Sequence, residues 1–183
     1  MDLSISNGIV RLSGTIGTTA GIDFRTFVRN AGEQKIVAVQ LDSLGGSISD
    51  AFDIARLIRK NGYATVVDAK SGRCYSACTL LFISGIRRAY VNAAGIRDGL
   101  ARSLNQPGLG FHGANALFMG SRSAAGYGTS LMIGGFYEFG VSEAKELILK
   151  ADYNQMYLVS PETAVRMGVA TQLTALNLRV PGT

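Results

Sequence analysis

The stretch IVAVQLDSLGGSISDAFDIARLIRKNGYATVV, residues 36–67, decides the class of this chain. Its first six residues form a near-continuous apolar run, the pattern of a strand covered on both faces. Asp42-Ser43-Leu44-Gly45-Gly46 is a turn. Ser47 then caps a helix, with Asp50 in the capping-box position, apolar residues at Ile48, Ala51, Phe52, Ala55 and Ile58, and a stop at Asn61-Gly62. Tyr63-Ala64-Thr65-Val66-Val67 is a second strand. Strand, helix and strand in this order predict a parallel pair joined by a right-handed crossover, hence an α/β fold.

Downstream the unit recurs. Ser71-Gly72-Arg73 leads into Cys74-Tyr75-Ser76-Ala77-Cys78, an apolar helical run from Thr79 to Ile83, a stop at Ser84-Gly85 and a strand near Arg88 to Val91. Asn92 to Pro107 reads as a long polar excursion with a short helix around Ile96 to Leu104. Gly108 to Gly113 is extended, Phe118 to Tyr127 turn-rich, and Leu131 to Gly140 helical in spite of Gly134-Gly135. Ser142 caps a helix to Ala151. Ser160-Pro161-Glu162 opens a last helix that stops at Gly168, and a closing strand falls near Leu173 to Val180. Upstream, Ile5 to Ile16 is a hairpin turning at Asn7-Gly8. It is followed by a helix from Ala20 to Asn30 with Ile22, Phe24, Phe27 and Val28 as its apolar residues.

The 183 residues are read as one domain, 1–183. Hydrophobic residues at 47% and charged residues at 17% describe a globular chain. The net charge of +5 is spread over scattered Lys and Arg without a basic run interleaved with aromatics, so nucleic acid is not an expected partner. No run is long enough to span a bilayer, and Met1-Asp2-Leu3-Ser4 lacks a secretory pattern. As written the chain is cytoplasmic; as a form without its export signal it is periplasmic. Both readings stay open.

Three features stand in chain order: a Gly-Gly turn after a buried strand, a serine where a polar turn becomes a buried helix, and the single histidine, His112, between Gly110 and Gly113. These are the parts of acyl transfer. A serine hydroxyl needs a base to take its proton, and a tetrahedral oxyanion needs fixed N–H donors. The bland alternative makes Ser76 a helix cap and His112 a structural hydrogen-bonding residue. Cys74 and Cys78 are either two buried packing residues or a disulfide, and the disulfide requires Cys74 to lie in the turn before the helix. Zinc on Cys74, Cys78 and His112 is disfavoured for want of a second ligand cluster, and no metal is expected.

The ordered set of four motifs resembles the ClpP/crotonase superfamily: Leu41-Asp42-Ser43-Leu44-Gly45-Gly46-Ser47, Cys74 to Cys78 with Gly85, Phe111-His112, and Ser160-Pro161-Glu162-Thr163-Ala164 with Gly168-Val169-Ala170. Within it the chain is most similar to bacterial ClpP-like serine peptidases in which cysteines bracket the nucleophile. The resemblance covers about Ile9 to Thr171. It implies repeated strand-helix units in a mostly parallel sheet core with flanking helices. It also implies a serine-type endopeptidase with Ser76 as nucleophile, His112 as general base, and the N–H groups of Gly45 and Ala77 as oxyanion hole. Gly46, Ser47 and Gly113 would bind substrate, and Asn154, with Asp152 as the alternative, would be the third catalytic member. No cofactor is implied. The implied partners are a peptide or protein substrate and further copies in a homo-oligomer; any unfolding ATPase or adaptor would be a separate protein. Leu44 departs from the usual proline, the excursion before His112 is longer than usual, and Met156 stands where an acid is usual. Two other functions stay open: a catalytically silent peptide-binding or assembly module, and a crotonase-type acyl-CoA enzyme that uses Gly45 and Ala77 without the Ser76/His112 pair.

Overall fold

A computed structural model describes residues 1–32, 35–114, 122–152 and 154–177, with the backbone alone for 122–125. Strands β1 (Asp2–Ser6) and β2 (Ile9–Ser13) form an antiparallel hairpin through Asn7 and Gly8, both at positive φ, as a tight two-residue turn demands. After β3 (Ala38–Asp42), β4 (Ala64–Asp68) and β5 (Arg73–Tyr75) comes β6 (Arg88–Val91). The first sheet runs β1-β2-β3-β4-β6, parallel throughout except at the hairpin. A second sheet adds β7 (Gly99–Leu100), β8 (Gly108–Phe111) and β9 (Tyr157–Leu158) in the order β5-β8-β9-β7. Its β5 and β8 are parallel, and β9 is antiparallel to both β8 and β7.

Helices α1 (Ala20–Asn30), α2 (Ile48–Lys60), α3 (Cys78–Ser84), α4 (Arg122–Glu138) and α5 (Pro161–Arg166) surround the sheets, with a 3-10 helix at Ser142–Leu149. Ser47 caps α2: its hydroxyl accepts the Asp50 N–H and donates to the Asp50 carboxylate at 2.5 Å. Ala51, Ile54, Ala55 and Ile58 form the buried stripe of α2. Helix α3 is buried on every side, as its unbroken apolar sequence requires.

Several expectations are corrected. On α1 the inward residue is Phe24, flanked by partly buried Phe27 and Val28, whereas Ile22 is 65% exposed. The excursion of 92–107 carries β7 in place of a helix. It is pinned by sheet pairing, by Tyr75 OH donating to the Gln106 carbonyl, and by Arg73 donating to Asn105. Of the segment 118–127 read as turns, 118–121 lie outside the described residues and the rest is helical: α4 already runs at Arg122, and it continues through its glycines because Met132 and Phe136 are fully buried. Val141, not Ser142, holds the cap position of the 3-10 helix. The closing segment makes one bridge, Gln172 to Ala89, and no strand up to residue 177; 178–180 lie outside the described residues.

Candidate active site

Ser76 occupies the two-residue step between the end of β5 and the start of α3. Its φ of 54° is left-handed, a conformation that a serine adopts only when its surroundings enforce it. The enforcement is visible. Its N–H donates to the Gly110 carbonyl at 3.0 Å, and its carbonyl accepts the Thr79 N–H at 2.9 Å and the Thr79 hydroxyl at 2.7 Å. A disulfide joins Cys74 to Cys78, two residues to either side, with Cα atoms 5.2 Å apart. Cys74 lies on the strand and Cys78 opens the helix, so the bridge does not have to span one helical turn. The cap position of α3 falls on Ala77, which makes no side-chain cap bond. Ser76 is partly exposed while Tyr75, Ala77 and Cys78 are fully buried.

The Gly-Gly loop lies directly against this turn. A methyl group on Gly45, whose φ is 95°, would lie 2.8 Å from the Tyr75 carbonyl, 2.9 Å from Ser76 Cβ and 3.0 Å from the Ala77 nitrogen. On Gly46 it would collide with the Ile16 carbonyl. Ile16 donates to the Gly45 carbonyl at 2.9 Å and accepts the Ser47 N–H at 2.8 Å, which leaves the N–H and C=O of Gly46 on the opposite edge. Ser43 joins the two sheets: its N–H donates to the Arg73 carbonyl at 2.6 Å and its carbonyl accepts the Tyr75 N–H at 3.0 Å. The Gly45 N–H donates to the Ser43 hydroxyl at 3.1 Å. Ala77, at the start of α3, carries an N–H of the kind that a helix start leaves without an intrahelical acceptor.

His112 follows β8 directly and is buried. Because Tyr75 is level with Gly110 in the parallel β5–β8 pair, Ser76 and His112 leave the sheet at the same, carboxyl, end. Gly110 has no room for a side chain, since a methyl group there would meet Met156 and the Tyr75 ring. Phe111 pairs with Tyr157, so one further step of that register sets His112 opposite Met156. The Gly113 N–H reaches the Ala151 carbonyl at 3.4 Å, and the Ala114 N–H donates to Thr129 Oγ1 at 2.8 Å. Asp152 and Asn154 are both exposed, in the turn after the 3-10 helix. Ser76, Gly45 and Ala77 are thus brought together at the strand end that carries His112, while the two candidates for the third role stay at the surface.

Below the site, burial pushes the Tyr75 hydroxyl up to about 12 and the Tyr90 hydroxyl higher still, so both are neutral donors. Tyr90 donates to the Val159 carbonyl and accepts the Leu109 N–H, each at 3.3 Å. Partial burial raises the Asp98 carboxyl, but hydrogen bonds from Thr163 and Ser160 outweigh it and hold the group below its ordinary value. Asp98 takes the Ser160 N–H at 2.8 Å and the Thr163 hydroxyl at 2.6 Å, fixing the start of α5. Among the described residues there is no cluster of three or more His, Cys, Asp or Glu, and no helix is long and apolar enough to cross a membrane. From sequence, Ser43 stands only as a turn and motif residue and Ile16 only as the end of the hairpin, while Asp98 is not singled out; a small polar residue between a buried strand and a Gly-Gly pair is the available signal for the role of Ser43.

No protein-family model matches the chain, and no curated protein does. Among solved structures, it is similar to a mutant of the 1510-N membrane-bound stomatin-specific protease, with a TM-score of 0.54 at 15% identity over 90% of this chain and 77% of that one. It is also similar to the ClpP protease catalytic domain from Plasmodium falciparum, with a TM-score of 0.56 at 17% identity over 94% of this chain and 87% of that one. The chain has the ClpP/crotonase-like α/β fold.

Proposed function

We propose that the protein is a serine peptidase that cleaves peptide bonds through an acyl-enzyme on Ser76. The observation that carries this reading is the left-handed Ser76 between β5 and α3, clamped by hydrogen bonds and a disulfide with Gly45 packed against it. A residue held at cost in a sparsely populated conformation at a strand end has a use there, and an acyl-CoA enzyme working through backbone donors has none for it. The similarity in fold to two proteases gives further support.

In this reading an extended peptide adds as a strand along Gly46-Ser47 on one side and Gly113 on the other. His112 takes the Ser76 proton as the Oγ–C bond forms, and the oxyanion is met by the N–H groups of Gly45 and Ala77. His112 then gives that proton to the amine as the C–N bond breaks, and water, with His112 again as base, hydrolyses the ester. In the same reading Asn154, or Asp152 in its stead, is the third member that orients the imidazole. Assembly as a homo-oligomer acting on protein or peptide substrates belongs to the same reading, and light scattering checks the oligomeric state; any ATPase or adaptor would be a separate protein.

Treatment with a fluorophosphonate followed by intact-mass analysis tests the core of it. The wild type should gain one adduct, and Ser76→Ala and His112→Ala none while both melt as folded proteins. Equal labelling of Ser76→Ala, or a folded wild type that takes no label, overturns the reading and leaves a silent peptide-binding module.

A further inference from the structure

We infer that Ser43 is a positioning residue that holds the Gly45 N–H in the resting protein and yields it to the oxyanion. The inference rests on the peptidase reading above. Ser43 is 1% exposed, and its own backbone is committed on both sides, to Arg73 and to Tyr75, so the hydroxyl is a fixed acceptor. At 3.1 Å its bond from the Gly45 N–H is slightly longer than the commonest N–H···O distance, and the acceptor is neutral. An oxyanion is the stronger acceptor, because charge-assisted hydrogen bonds are about twice as strong as neutral ones. The exchange has to be local. The Gly45 carbonyl is pinned by the Ile16 N–H, Gly46 is packed on the Ile16 carbonyl, and the Cα of Gly45 is packed on Ser76. What is left to move is the Leu44–Gly45 peptide plane: as it tilts, its N–H turns from the Ser43 hydroxyl toward the oxygen bound over Ser76.

The resting protein is therefore stabilised by a bond that the transition state gives up. Removing the hydroxyl removes that ground-state bond and leaves the bond to the oxyanion, so the barrier should fall by the net worth of one neutral hydrogen bond. Ser43→Ala should be phosphonylated by a fluorophosphonate about fivefold faster than wild type, with the change in the maximal rate and not in probe affinity. Ser43→Thr, which keeps the hydroxyl, should return to the wild-type rate. In the wild type itself, the Gly45 amide proton should move downfield on phosphonylation as a hydroxyl is exchanged for a phosphonyl oxygen. A folded Ser43→Ala that reacts at or below the wild-type rate overturns the proposal, as does Ser43→Thr reacting like Ser43→Ala. If Ser43→Ala does not fold, an unmoved Gly45 amide in the phosphonylated wild type overturns it. A wild type that takes no label at Ser76 defeats the peptidase reading instead, which keeps the two failures apart.

Discussion

Gly45 turns its Cα toward Ser76 with no space for a methyl group, and its φ of 95° is closed to other residues at low cost. Gly45→Ala should therefore act twice. It should lower stability by about 1–2 kcal/mol through the left-handed backbone, and it should displace the N–H from the place where an oxyanion forms. Loss of one such donor costs about 10²- to 10³-fold in rate, and phosphonylation of Ser76 should fall by that much while a melting transition survives. Full reactivity in a folded Gly45→Ala would remove Gly45 from the oxyanion hole. At this scale the sequence was informative where backbone chemistry restricts the residue type: a Gly-Gly pair after a buried strand, a serine before a buried helix, a histidine between glycines. It was uninformative where a partner comes from far along the chain. Nothing local to Ser43 says that its hydroxyl meets Gly45, and nothing local to Asp152 or Asn154 says that both face solvent.

Helix α4 separates two glycines that look equivalent in sequence. Around Gly134 a methyl group meets nothing within 4 Å, whereas on Gly135 it would lie 2.5 Å from Leu80 Cδ2 and 3.1 Å from the Phe52 ring. Gly134→Ala should raise stability by up to about 1 kcal/mol through helix propensity alone. Gly135→Ala should lower it by about 1–3 kcal/mol, because α4 must back away from α2 and α3. Urea titrations of the two variants give the comparison, and equal effects would mean that α4 does not pack on Leu80 as described. Two further glycines explain why this helix was legible only from Leu131 onward: Gly126 and Gly128 lower propensity locally, and the packing that overrides them comes from elements far away in sequence. Helices α1 and α2 were legible to the residue at their ends, since Ser47, Asp50 and Gly62 mark the limits of α2 chemically. The excursion of 92–107 was misread because its order comes from distant partners: β9 and the start of α5 more than fifty residues later, and Arg73 and Tyr75 upstream.

For the molecule as a whole, the parallel sheet followed from one strand-helix-strand unit and its recurrence, but the second sheet did not. Its strands β7 and β9 have two residues each, too short to carry a period, and only the pairing of β5 with β8 sets Ser76 and His112 at a common end. The Cys74–Cys78 bridge sits at the junction of the two sheets, where Ser43 bridges to Cys74. Closing so short a loop is worth about 2 kcal/mol in the chain-entropy account. Reduction, or the Cys74→Ser/Cys78→Ser double variant, should keep a single melting transition and lower it by roughly 4–8 °C for a chain of this size. Calorimetry with and without dithiothreitol measures this, and an unchanged midpoint would mean that the bridge does not form in solution. Ile16 has a practical consequence of its own. Since this one residue just past the hairpin grips both Gly45 and Ser47, a fragment cut between Ile16 and α1 would lose the brace of the Gly-Gly loop, although every residue with a proposed chemical role would still be present. Fusion partners and split-protein designs that treat the hairpin as an expendable leader would sever it from the chemistry it supports.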